Sequence, residues 1–229
     1  VIDMDQLAVD GSIALVTEGN GAAIVVNDAA IEFAASTVRG ALTATATTGN
    51  ITDSGNLTIT GAATFITGVS GSDIILDSSG NAFSDSVTLK ADTSGNEAFG
   101  DITFVDSAAV KLHSSAGTNG DLYINASTDG VVGGDLSITA TTGNITQGVA
   151  VAVTGTTTLK ATTSNNITLD NTSNNFQGAV KITSGNDVTL VDAGAIDLGA
   201  STVSGIYDVT ATSGNITDSG NLTITGAAT

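Results

Sequence analysis

Few side chains in this chain could do chemistry, and they are scattered. His113 is the only His, in Lys111-Leu112-His113-Ser114-Ser115, just past an apolar-x-apolar run. A triad base needs a nucleophile within hydrogen-bond reach and an acid to orient it. Ser and Asp are so frequent here that sequence proximity selects neither, and His113 reads as a surface or corner residue. Arg39 is the only Arg, and in a later copy of the same block its place is held by Ser204. A β-helix enzyme acting on acidic polysaccharide would need basic groups against the substrate's charge. The remaining cations, Lys90, Lys111, Lys160 and Lys181, fall on alternating strand positions and read as solubilising charges. No catalytic residue is assigned, and the chain does not read as an enzyme.

Hard oxygen ligands are more plentiful. They cluster at Ser72-Asp73, Asp53-Ser54-Gly55-Asn56, Asp77-Ser78-Ser79-Gly80-Asn81 and Asp218-Ser219-Gly220-Asn221. Calcium takes roughly six to eight oxygens, so Asp53, Asp77 and Asp218 are weak calcium candidates. No stretch follows the EF-hand loop or the Gly-Gly-x-Gly-x-Asp repeat. Asp in a turn commonly bonds its own backbone instead. No other cofactor is expected. Thr-x-Thr strings, such as Thr43-Ala44-Thr45 and Thr223-Ile224-Thr225, resemble ice-binding surfaces, but they are missing from many of the apolar-x-apolar segments. Thr favours strands in any case. Asn-x-Ser/Thr sequons, from Asn50 to Asn221, arise from composition.

Composition narrows the elements that must position these groups. The 229 residues include no Cys, no Pro and no Trp, with 5 Lys+Arg against 23 Asp+Glu. Zero Cys excludes disulfides, thiolate metal sites and a Cys nucleophile. A net charge of -18 lacks the footprint for nucleic acid or anionic lipid. No segment is long and apolar enough for a membrane helix, and no basic n-region marks a signal peptide at Val1–Asp5. Abundant Thr and Gly with scarce Glu, Lys, Arg and Met disfavour long helices. With 3% aromatic residues, a thick core is not expected; a thin one, filled by small side chains, is.

The chain repeats itself. Gly49 to Thr64, GNITDSGNLTITGAAT, recurs unchanged from Gly214 to Thr229. Leu136 to Thr146, LSITATTGNIT, is a weaker copy of Leu42 to Thr52, LTATATTGNIT. Asp101–Asp106 matches Asp187–Asp192, each followed by an apolar-x-apolar triplet, and Ala30-Ile31-Glu32-Phe33 is a third copy of that ending. The chain reads as a little more than one long period of an array. The spacings of these copies are multiples of a step of roughly 23–24 residues, which is solenoid-like. Some copies carry insertions, such as Ser114 to Gly120.

Within each step the pattern is apolar-x-apolar: Leu57-Thr58-Ile59, Ile74-Ile75-Leu76, Ile167-Thr168-Leu169. Period two marks a strand with one buried face. Thr-Gly-Asn and Ser-Gly-Asn between strands read as tight corners. Together these predict an all-β fold: a parallel β-helix, or β-solenoid, with coils of roughly 20–24 residues. Residues 1–229 form one continuous segment. An antiparallel sandwich would also have short strands, but usually needs a large buried aromatic.

The phrases ATTGNITDSGNLTITGAATF, ATTGNITQGVAVAVTGTTTLKA and DNTSNNFQGAVKITSGNDVTLVDAGAIDLGASTVSG resemble the repeats of filamentous-haemagglutinin-like giant bacterial exoproteins. The resemblance runs from about Ala22 onward. It implies a right-handed β-helix, secretion to the bacterial cell surface, and a role in adhesion, biofilm or filament formation. It supplies no catalytic residues. The function expected is therefore a structural or adhesive rod segment, with a glycan-binding β-helix, calcium-assisted or not, as the alternative. The partners expected are copies of itself, end to end, and host or matrix glycans or proteins.

Overall fold

The computed structural model describes residues 1–91, 100–113, 121–124 and 131–229, without the side chains of 113, 121–124 and 131. Every described strand pairing is parallel, and no helix occurs among the described residues. The expected β-solenoid is present, with about 9 turns. Alternation sets each strand. In Leu42–Ala46 the residues Leu42, Ala44 and Ala46 point inward and are buried, while Thr43 and Thr45 lie on the outer face. A strand with this pattern has one apolar edge and cannot bury it alone, so it stacks on its neighbours.

The register gives the coil length. Ala23 stacks against Leu42, Leu42 against Ala63, and Ala63 against Val87, so the first coils are shorter than the roughly 23–24-residue step of the repeats and the third matches it. In the centre the step widens. Ile74 meets Ile102, and Ile102 meets Leu136; the second of these steps holds two strands of the 11-stranded sheet, Val110–His113 and Asp121–Ile124, which pair with each other. The insertion expected at Ser114 to Gly120 falls outside the described residues. Two long sheets of 11 and 10 strands run the length of the solenoid, with short sheets on the remaining face.

Corner chemistry explains why blocks keep a fixed order. The Thr-Thr-Gly-Asn corner at Thr47–Asn50 sits on the Asn27–Ala30 corner of the coil below. Thr47 N–H donates to the Asn27 carbonyl at 2.9 Å, and Thr48 Oγ1 donates to the Asp28 carbonyl at 2.6 Å. Thr142 repeats this on Ser107, and Thr212 and Ser213 repeat it on Ala193. Gly49, Gly143 and Gly214 have φ of 90°, 104° and 99°, a left-handed conformation that glycine enters without strain. A Cβ there would also press on Ala30, Ala109 or Ala195, at 3.1, 2.8 and 2.9 Å from the Ala Cβ. One block thus forms the floor for the next.

The copies do not keep the same face. Leu42–Ala46 belongs to the 11-stranded sheet and Ile51–Asp53 to the 10-stranded sheet. In the second copy Leu136–Ala140 lies in the 10-stranded sheet and Ile145–Gln147 in the 11-stranded one. The faces are therefore interchangeable hosts for the same block.

The interior is a continuous apolar column. Leu42, Ile51, Leu57, Ile59, Phe65 and Ile74 are each at most 1% exposed. Burying one such side chain stabilises by roughly 1.5–3 kcal/mol. Few aromatics suggested small side chains only, yet four Phe converge on the axis from different sheets. Phe33 meets Phe65 edge-on with centroids 6.1 Å apart, Phe65 meets Phe83 edge-on at 6.3 Å, and Phe83 meets Phe104 tilted at 5.1 Å. Such pairs add about 0.5–1.5 kcal/mol each beyond burial.

Candidate functional site

Among the described residues, those singled out for chemistry are not brought together. His113 ends the strand Val110–His113, and its side chain is outside the described set. Arg39 is exposed, and its backbone N–H donates to Thr17 Oγ1 at 2.9 Å. Lys160 and Lys181 are exposed on outer faces, as their strand positions imply.

The three calcium candidates have different fates. Asp53 is 8% exposed, and its oxygens are engaged from the coil above. Oδ1 accepts from Asp77 N–H at 2.8 Å, and Oδ2 accepts from Asn81 Nδ2 at 2.7 Å. Asn81 Oδ1 in turn accepts from Leu57 N–H at 2.7 Å. Asp77 is exposed, and Asp218 is exposed many coils away. Among the described residues, no three acidic, His or Cys side chains converge as a metal would need. Asp53 serves instead as an internal clamp between coils. The buried Asn174 does the equivalent work further along, accepting from Val151 N–H at 2.8 Å and exchanging hydrogen bonds with Gln147.

A second polar system runs along the corners just before the strands. Asn50 Oδ1 accepts from Asp73 N–H at 2.9 Å, Asp73 Oδ1 from Asp101 N–H at 2.8 Å, and Asp101 Oδ1 from Asp135 N–H at 2.7 Å. Asp135 Oδ1 continues to Thr156 N–H at 2.6 Å. A matching ladder climbs from Asn144 to Asn166, Asp187 and Ile206. In each case the residue before the first buried strand position supplies an acceptor for the same position one coil on. The Asx corners expected from sequence are thus inter-coil ladders, which join Asn and Asp residues of neighbouring coils in every combination rather than copies of the same Asn. The sequence suggests such a ladder but does not fix its partners, because they lie a whole coil apart and share no local motif.

Outer Thr residues form short columns. Thr43, Thr64 and Thr88 stack in successive coils. The neighbouring rank breaks at once, because Thr45 stacks on Ile66 and Ile66 on Lys90. An open groove of about 460 Å³ is lined by Ala109, Lys111, Gly143, Asn144, Thr146 and Asn165. It combines an ammonium with amide and hydroxyl groups on a flat face.

Two buried groups are perturbed. Burial pushes the Asp106 carboxyl above its ordinary value, although the backbone N–H groups of Phe83 and Ala108 counter this by donating to it. Burial also raises the Tyr207 phenol, and the neighbouring Ser201 hydroxyl counters this in part.

Stacked parallel coils, inward ladders and a repeating block order define a β-solenoid repeat protein. The chain belongs to the family described as repeats of unknown function (DUF5649), which matches residues 19–90, 99–183 and 185–229. No curated protein and no solved structure matches the chain.

Proposed function

We propose that this chain is a rod segment of a bacterial surface or secreted protein, serving attachment, biofilm or matrix formation by spacing and display rather than by catalysis. The observation that supports this reading is the reuse of one block on different faces of a stack whose two long sheets pair strand to strand throughout the described residues. A stack of about 9 turns spaced ~4.8 Å apart makes a rod of roughly 45 Å. Ladders at two corners and clamps inside tie each coil to the next, which suits a stiff spacer. The resemblance to filamentous-haemagglutinin-like exoproteins supplies the extracellular setting. A net charge of -18 suits a solvated rod that resists side-by-side clumping. The test is to display the chain on bacteria lacking adhesins and to measure surface attachment and biofilm mass. Gain of attachment with an extended layer in electron micrographs supports the reading; no gain on any surface tested removes the adhesive part.

A glycan-binding reading is favoured by one feature, the groove at Lys111, Asn144, Thr146 and Asn165. Binding on a glycan array that is lost in Asn144→Ala would support it. An array without signal would end it.

A further inference from the structure

The 11-stranded sheet turns one face outward along the side of the stack. Its first five strands are Ile2–Leu7, Ala23–Asn27, Leu42–Ala46, Ala63–Thr67 and Val87–Lys90. Alternation gives each strand two outward positions, so two ranks climb this face. One rank runs through Asp3, Ile24, Thr43, Thr64 and Thr88. The other runs through Val26, Thr45, Ile66 and Lys90. Asp5 stands at its foot, one residue past the Met4–Val25 pair, and lines one open groove with Val26. These side chains point sideways, so a further coil above or below covers none of them.

The face differs from the rest of the molecule in charge. The chain carries -18, yet from Ile24 to Thr88 the two ranks hold only Ile, Val and Thr before Lys90 is reached. Ile24 is 39% exposed, and Val26 and Ile66 are half-buried beside it. Every one of these residues is β-branched, so the surface is stiff. The outer positions of the 10-stranded sheet, by contrast, include Glu32, Lys181 and Asp197, and the far part of the 11-stranded sheet shows Asp208. Charge closes the second rank at both ends: a carboxylate at Asp5 and an ammonium at Lys90. Acid, apolar, Thr, apolar, base is an order that is its own complement when reversed.

We propose that this face pairs with the same face of a second copy, the two rods antiparallel, about a two-fold axis passing Thr43 and Thr45. Lys90 of each copy then faces Asp5 of the other, Val26 faces Ile66, and Thr45 faces Thr45. In the first rank Ile24 faces Thr64, and Asp3 faces Thr88, whose hydroxyl donates to it. Parallel rods would exchange the ranks and set Asp3 against Asp5, so charge selects the antiparallel pair. Like charges placed opposite each other exclude wrong registers in the same way.

Sheets packed face to face lie ~10 Å apart and interleave their side chains. Five strands ~4.8 Å apart, each about five residues long, offer roughly 400 Å² per copy. Stable complexes bury ~1,200–2,000 Å² in total, so this pair is weak and reversible. The contact uses one patch on both copies, so it closes at a dimer. The acidic remainder of the surface keeps rods apart everywhere else. The proposal goes beyond the rod reading and does not depend on it, since a rod that stays monomeric is still a rod.

The test is analytical ultracentrifugation of the whole chain up to high concentration. Expected is a reversible monomer–dimer equilibrium with nothing larger. Asp5→Lys sets a cation against Lys90, and Lys90→Glu sets an anion against Asp5; each alone weakens the dimer about tenfold or more. Asp5→Lys also lowers the overall negative charge, so an effect of general repulsion would have the opposite sign. Mixed in equal amounts, the two variants match every charge across the axis and regain the dimer. The chain has no Cys, so Thr45→Cys supplies a single thiol, which a short bis-maleimide joins to that of the second copy. Thr103→Cys, on the 10-stranded sheet, is not joined. Circular dichroism shows that each variant keeps its β-type fold. A chain that stays monomeric at every concentration overturns the proposal. So do charge variants that dimerise like the unmodified chain, a mixture that regains nothing, or cross-linking at Thr103→Cys in place of Thr45→Cys.

Discussion

Gly49–Thr64 and Gly214–Thr229 are the same residues in two environments. Both adopt the same strands, with Ile51–Asp53 matching Ile216–Asp218 and Leu57–Ile59 matching Leu222–Ile224. Both rest on a floor of the same kind, with the corner Gly against an Ala below. They differ above. The first copy lies under the coil that carries Ile74–Leu76, and the second lies under almost nothing. Local conformation is thus set by the sequence and the floor, whereas burial is conferred by the cover. Tests that separate floor from cover should split the two copies or leave them equal.

The largest split is expected for Ile51→Ala against Ile216→Ala. Truncating a fully buried Ile costs about 2–5 kcal/mol, and the half-exposed Ile216 should cost under ~1 kcal/mol. Urea unfolding of the two variants checks this; equal midpoints would break the comparison. Next come the clamps. Asp53→Ala leaves Asp77 N–H and Asn81 Nδ2 without acceptors, which should cost about 1–3 kcal/mol. Asp218→Ala, exposed, should stay within ~0.5 kcal/mol. Hydrogen exchange at Asp77 and its neighbours should quicken only in the first variant.

A floor-dependent change should not split the copies. Gly49→Ala and Gly214→Ala both place a Cβ in a left-handed corner against an Ala, and each should cost at least about 1 kcal/mol. A much smaller loss at Gly214, read by thermal melting, would show that the cover also tightens the corner.

The smallest effect concerns desolvation by the cover itself. Asp106 is raised by burial, so folding favours its protonated form. Its contribution is fully present below the unfolded carboxyl's value and is lost as pH rises through the folded one. Asp106→Asn keeps an acceptor for Phe83 and Ala108 and removes the buried charge. It should be as stable as the unmodified chain in acid and slightly more stable at neutral pH. Denaturation midpoints at both pH values check the sign.

The solenoid was legible because its evidence is local: the two-residue alternation in Leu57-Thr58-Ile59, the Thr-Gly-Asn corners, and repeats that can be aligned by eye. Coil length was legible only as a range: Ala23, Leu42, Ala63 and Val87 stack, and these coils run at or a little under the expected length of roughly 20–24 residues, mostly shorter than the repeat step of roughly 23–24 residues. The longer central steps, from Ile74 to Ile102 and on to Leu136, were foreshadowed by insertions but not located by them. The candidate site was read less well. Asp53 offered calcium-type oxygens in sequence, yet the structure spends them on the next coil. Phe33, Phe65, Phe83 and Phe104 gave no sign of meeting, because each touching pair joins two different sheets and is far apart in sequence.

By itself, the sequence determined strand, corner and stacking period, since these follow from side-chain alternation and from glycine's freedom at a few positions. Only the tertiary structure decided which face a block occupies and which Asp becomes a clamp. Those outcomes depend on contacts between residues a coil or more apart, and identical text at Gly49 and Gly214 carries no record of what lies above it.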